Sequence, residues 1–460
     1  MALTDSGHPA PMDAAPLLGG LKGRVRAWLT EGGDGPLAQR VAGAAFLIRV
    51  GGAVLAYLAQ IVLARWMGSF EFGIYVYVWT WVLLIGGVVD LGLASGAQRF
   101  IPQYVSQKAH SHLRGFLFGS RWISFGIATL VGIAGVACVR FAEPWLDQYL
   151  VIPLYLGCIA LPICGILSTQ DAIARSYNWI NLALLPQYVV RQILLVIFIA
   201  IAYGAGYTID ATTTVALAGI SMWLGALGQM WVLNRRLKKT VEPGPKNYEV
   251  GSWLVTAMPI KLVESLYLIL MYTDVLILNH FRTPEAVAVY YAASKTLSFV
   301  AFVYFSVSAA AAHRFTEYHV TGQRERLAEF IAASIRWTFW PSLAGTAVIL
   351  AAGWPLLRLF GPNFVEGYSL MFILAIGVMA RAAVGPGERL LNMVGEQKAC
   401  TLVVACTFAA NLAGCLLLIP PYGAIGAAIS VSAAFVIESV LLFLVTKRRT
   451  GFHIFIYGGR

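Results

Sequence analysis

The sequence predicts an all-α integral membrane protein with about 12 transmembrane helices in two six-helix bundles around a central cavity. The first observation is composition. Hydrophobic residues make up 59% of the chain and charged residues 12%, about half the roughly 25% typical of soluble domains. The second is spacing: apolar runs near the ~20 residues that cross a bilayer recur through nearly the whole chain. The third is the loop Arg235 to Gly251, the longest basic, Pro- and Gly-containing connection, which divides those runs into two equal sets.

Residues 1–40 form a tail, partly disordered, with no apolar core of a signal peptide. Within it, Lys22, Arg24 and Arg26 stand beside Leu17, Leu18, Leu21, Val25 and Trp28. That pattern fits a short basic helix on anionic lipid, and a disordered tail fits equally. Spans follow at 41–64, 73–97, 116–139, 149–170, 182–204 and 212–234, the N-terminal bundle 41–234. Pro153 and Pro162 interrupt the fourth of these. After the linker 235–250 come 252–279, 286–311, 333–353, 367–391, 400–419 and 423–446, the C-terminal bundle 251–446, and then the tail 447–460.

The net charge of +11 does not point to nucleic acid, because the charges fall in alternate loops. One side holds Arg40, Arg99, Lys108, Arg114, Arg175, the group Arg235 to Lys246, Arg314, Arg324, Arg326, Lys398 and Lys447 to Arg449. The other side offers Arg65, Arg140, Arg282 and Arg358. The positive-inside rule then puts both termini in the cytoplasm. The turn Gly68 to Tyr75 is echoed by Arg282 to Tyr290, each after the first helix of its half. Both first helices start on the same side, so the pseudo-repeat is parallel.

Ionisable residues within spans cost about 2.5–3.5 kcal/mol at mid-bilayer on insertion scales and by default mark function. The basic candidates are Arg49, Arg191, Lys261, Lys295 and Arg381; the acidic ones are Asp90, Glu264, Asp274 and Glu438. At 100° per residue, Arg49, Gly52, Ala53, Ala56 and Gln60 share one face of the first helix. That stripe reads as a cavity wall, against the alternative of close helix packing with Arg49 reaching the interface. Lys261 and Glu264 are three residues apart and can pair, as structure or as a substrate contact. Lys295 and Arg381 lie too deep for easy snorkelling, whereas Arg191, with Gln187 one turn earlier, is ambiguous. The acids are counter-ions, proton sites or both. A cavity lined by this cationic excess attracts an anionic head group, for which phosphate is the natural partner of Arg.

Other classes find little support. The six cysteines fall inside apolar runs with no CxxC pair, and the seven histidines form no HExxH pattern, so no metal site or cofactor is expected. There is no GxxxxGK[ST] phosphate loop for ATP-driven transport. Glu71, Glu143, Asp147, Asp210, Glu285 and Glu366 form no paired cluster of the kind a membrane-embedded enzyme needs.

Several stretches resemble a known family. They are Ala64-Arg65-Trp66-Met67-Gly68, Phe72-Gly73-Ile74-Tyr75, Asp90-Leu91-Gly92-Leu93 and Arg99-Phe100-Ile101-Pro102 in the first half. The second half adds Asp274 to Leu278, Tyr290 to Lys295, Leu359 to Phe364, Asn411, Ile419 to Ala428 and Lys447-Arg448-Arg449. Their order and spacing over residues 41 to 450 resemble bacterial polysaccharide transporters of the lipid-linked oligosaccharide flippase type, in the multidrug/oligosaccharidyl-lipid/polysaccharide exporter superfamily. The resemblance implies a bacterial inner-membrane protein that moves an undecaprenyl-pyrophosphate-linked glycan from the cytoplasmic to the periplasmic leaflet by alternating access. It also implies membrane lipids, a polysaccharide polymerase and glycosyltransferases as partners. Arg49 is the position that best resembles the cavity arginines of the lipid II branch. The competing expectation is an ion-coupled multidrug or toxin extruder, which leans on acidic cavity residues.

Overall fold

A computed structural model describes residues 34–457, with side chains from residue 43 onward. The basic segment Leu17 to Thr30 lies outside the described residues. Among those residues every regular element is a helix, with no strand.

The first-half helices are α1 (Asp34–Gly86), α2 (Leu93–Ser106), α3 (His110–Ala142), α4 (Gln148–Ser176), α5 (Ile180–Leu185), α6 (Arg191–Gly204) and α7 (Ala211–Thr240). The second half holds α8 (Val250–Phe281), α9 (Pro284–Leu297), α10 (Ala301–Val320), α11 (Arg324–Ala351), α12 (Gly353–Phe360), α13 (Tyr368–Val384), α14 (Gly387–Met393), α15 (Gln397–Tyr422) and α16 (Ala424–Thr450). Among the described residues, ten helical runs are long and apolar enough to cross a membrane, and α11 with α12, bent by 58°, makes an eleventh. One of the ten, within α1, is itself two arms meeting at Gly68, which brings the candidate crossings among the described residues to twelve.

Gly68 has φ 79° and ψ 173°, a backbone conformation open to glycine and strained for other residues. It turns α1 back on itself and makes the hairpin. Glu71, just past that turn, accepts a 2.8 Å hydrogen bond from the Ala211 amide and so ties the hairpin to the start of α7. The basic stretch Arg235 to Thr240 continues α7 as helix, and only residues 241–249 are non-helical between the halves. That segment is strapped to α3: the Asn247 amide donates to the Ser111 carbonyl, and Arg114 donates to the carbonyls of Pro245 and Glu242.

Three spans differ in detail from expectation. Pro153 and Pro162 do not divide α4, which is continuous; membrane helices tolerate proline in their interior. The second span is broken after Gly86, where Leu91 and Gly92 take positive φ (46° and 83°) before α2 resumes. The tenth is broken at Gly385 between α13 and α14.

The two lobes meet at one end through aromatic packing. Phe72 of the first lobe stands edge-on to Phe364 (6.0 Å between centroids) and to Tyr291 (6.2 Å) of the second. There the echoed turns touch one another. A Cβ on Gly73 would lie 1.9 Å from the Pro284 carbonyl oxygen, so only glycine permits that approach. Arg65 completes this closed end, donating to the carbonyls of Leu359 (2.7 Å) and Arg358 (2.9 Å).

Candidate functional site

Beneath the closed end lies a cavity of about 560 Å³ between the lobes. Its roof is held by two polar links across the lobes. Tyr57 hydrogen-bonds Thr296 at 2.8 Å, and Gln60 Nε2 donates to Tyr291 Oη at 3.0 Å. Ala53, Ala56 and Gln60 of the small-residue stripe line its wall. Gly52 instead abuts the backbone of Tyr188. Arg49 is exposed and stands outside the lining.

Arg191, Lys295, Arg381 and Asp274 do line the cavity. Arg191 follows directly on a π-helical turn, Pro186–Val190. Proline cannot donate the regular helical bond, and such turns shift the facing of the residues after them. Its guanidinium lies 5.9 Å from the Trp79 ring, and Lys295 Nζ lies 5.1 Å from the Tyr291 ring. Among the described residues, neither Arg191 nor Lys295 forms an ion pair. Asp274 is buried, accepting from Tyr290 Oη and from the Val275 amide at 2.9 Å. Arg381 is partnered, with Nη2 at 3.5 Å from Glu388 and 3.6 Å from Glu438.

Lys261, Asp90 and Glu264 form a group of their own between the lobes, away from the cavity lining. Lys261 Nζ lies 2.9 Å from Asp90 Oδ1 and 3.3 Å from Glu264 Oε2, and Ser95 Oγ donates to Glu264 at 2.8 Å. Asp90 sits at the break in the second span, where its other oxygen accepts from the Ala94 amide.

Some relevant residues were not singled out from sequence. Glu388, near the end of the tenth span, was not among the candidates, yet it joins Arg381. Arg121 is an intramembrane arginine that bonds Asn234 Oδ1 at 2.6 Å and the Leu117 carbonyl at 2.7 Å. Asn234, at the edge of another span, was the available signal. Tyr57, Tyr291 and Thr296 carry no charge and so left no mark in a search for ionisable residues.

Two helical lobes thus enclose a central cavity in a membrane-spanning fold. The chain belongs to the polysaccharide biosynthesis protein family, whose model matches residues 41–318. The MatE family model also matches residues 259–417. A multidrug resistance MATE family transporter of the MOP superfamily, inward-facing, superposes with a TM-score of 0.71 at 14% identity, covering 88% of this chain and 98% of that one. The lipid II flippase MurJ, inward closed, gives 0.68 at 14% identity over 87% of each chain. A MOP superfamily transporter from Pyrococcus furiosus gives 0.63 at 14% identity, over 89% of this chain and 94% of that one. No curated protein matches in sequence. At such identities the structural likeness establishes the fold, and the family model establishes the kinship.

Proposed function

We propose that this protein is a secondary flippase for an undecaprenyl-pyrophosphate-linked oligosaccharide or exopolysaccharide precursor, moving it from the cytoplasmic to the periplasmic leaflet. The observation that carries the reading is the pair Arg191 and Lys295, two cations on the wall of an interlobe cavity with no ion pair among the described residues. Unpartnered cations in a membrane interior are costly unless a ligand supplies the counter-charge. Membership in a polysaccharide biosynthesis family supports a glycan cargo, and a pyrophosphate supplies the anion.

The cavity volume falls in the range of small-ligand sites, roughly 300–1,000 Å³. It suits the pyrophosphate and adjoining sugars, with the polyprenyl tail left in lipid. By the positive-inside rule both termini are cytoplasmic in a bacterial inner membrane, and residues 41–234 and 251–446 are the two moving bodies. The end sealed by Arg65, Gly73 and Phe72 is then periplasmic and the cavity faces inward. Polymerase and glycosyltransferases are the partners such a cargo requires. Arg49, exposed near the cytoplasmic end of the first helix, fits an initial contact with the lipid phosphate better than a place in the final site.

A second reading, an ion-coupled extruder of small molecules, draws on the MatE match and on Asp274 in the cavity wall. Deleting the gene discriminates between them. The flippase reading expects undecaprenyl-linked glycan to accumulate on the cytoplasmic leaflet. Normal surface polysaccharide in a strain with no redundant transporter, accompanied by sensitivity to toxic cations, would favour the extruder.

A further inference from the structure

Arg381 differs from the other cavity cations because carboxylates already hold it. Glu388 approaches from α14, across the break at Gly385, and Glu438 approaches from α16. The guanidinium also lies over the rings of Tyr304 on α10 (4.8 Å) and Phe435 on α16 (5.4 Å). Tyr267 on α8 and Cys400 on α15 complete the surrounding titratable groups. The cation of α9, Lys295, lies over Tyr291 instead. One positive charge therefore faces two negative ones.

The pairing is also incomplete. Both contacts are longer than the roughly 2.7–2.9 Å of charge-assisted hydrogen bonds. Arg381 Nε, Glu438 Oε2 and Tyr267 Oη are buried without a hydrogen-bond partner among the described residues. Arg381 meanwhile faces the cavity, where a bidentate phosphate contact is open to it.

We propose that a phosphate of the cargo and the carboxylates of Glu388 and Glu438 compete for Arg381, and that the cargo binds together with a proton taken up by Glu438. This rests on the pyrophosphate reading above and adds the proton to it. When phosphate draws the guanidinium away, Glu438 is left as a carboxylate in an apolar pocket with its side chain only 3% exposed. A charge so placed neutralises rather than remain uncompensated. The proton comes from water and lands on the unpartnered Oε2. Glu388 is the more exposed of the two carboxylates, its side chain at 22%. The bound state thus holds one more proton than the empty state, so binding strengthens as pH falls, by up to about tenfold per pH unit for one linked proton.

The test is titration calorimetry of the purified full chain with farnesyl pyrophosphoryl glucose. This pyrophosphate diester has no ionisation of its own near neutral pH. Running it in two buffers of different ionisation heat gives the protons taken up per ligand bound. The expected result is about one proton in the wild type and none in Glu438→Gln, whose binding becomes independent of pH. Binding with no proton uptake in the wild type, or with unchanged uptake in Glu438→Gln, overturns the inference. The wild-type measurement decides the matter even if the variant does not fold. No binding at any pH would overturn the pyrophosphate reading itself.

Discussion

Lys261 Nζ lies 2.9 Å from Asp90 Oδ1, joining the two lobes at the break in the second span. Asp90 is fully buried and the Lys261 side chain is 12% exposed. Removing one member of such a pair leaves an uncompensated buried charge, which costs about 3–5 kcal/mol. Lys261→Met is therefore expected to lower the Tm of the detergent-purified protein substantially. Adding Asp90→Asn to it should restore most of the loss. A Lys261→Met variant with wild-type Tm and no transport would make the lysine a cargo contact instead.

Arg191 and Lys295 lead to the opposite expectation. Neither forms an ion pair among the described residues, so Arg191→Ala and Lys295→Ala break no internal pair and should leave Tm nearly unchanged. Each should lose a charged hydrogen bond to the cargo, worth about 1.5–3 kcal/mol, or roughly ten- to hundredfold in affinity. Arg49→Ala, outside the cavity lining, should retain more transport than either. Binding titrations beside thermal melts check all three variants.

The closed end depends on Gly73. A side chain there meets the Pro284 carbonyl oxygen, so Gly73→Val should insert normally yet fail to seal the lobes. Ser69 and Asn363 provide a reporter, since Asn363 Nδ2 stands 3.5 Å from Ser69 Oγ across that seam. The pair Ser69→Cys and Asn363→Cys should cross-link readily in an otherwise wild-type chain and poorly with Gly73→Val. Equal cross-linking in both backgrounds would show that the seam tolerates the bulk.

The helical fold was legible in the sequence because crossing a bilayer imposes a length and an apolar composition on each span. The (i, i+3) pair of Lys261 with Glu264 was legible because helix geometry places the two side chains together. What could not be read was any pairing that depends on how separate helices come together. Asp90 reaches Lys261 across 171 positions of sequence, a separation no local pattern records. The stripe under Arg49 shows the same limit. Periodicity put five residues on one face, but the packing of Tyr188 against Gly52 decides that the cavity begins at Ala53. The break at Gly92 was not read as one; that at Gly385 was open to reading, since Gly385-Pro386-Gly387 is a turn signal within an otherwise apolar span.

The central claim is that the cavity carries a pyrophosphate-linked glycan across the membrane. Its most direct test is translocation in liposomes reconstituted with the purified protein and a polyprenyl-pyrophosphate-linked sugar. Exposure of the sugar to a membrane-impermeant glycan-modifying enzyme reports movement between leaflets. The account predicts faster exchange with wild-type protein than in empty liposomes, strongly slowed in the Arg191→Ala, Lys295→Ala double variant. Exchange no faster than in empty liposomes, or equally fast for a polyprenyl-linked sugar lacking the pyrophosphate, would contradict it.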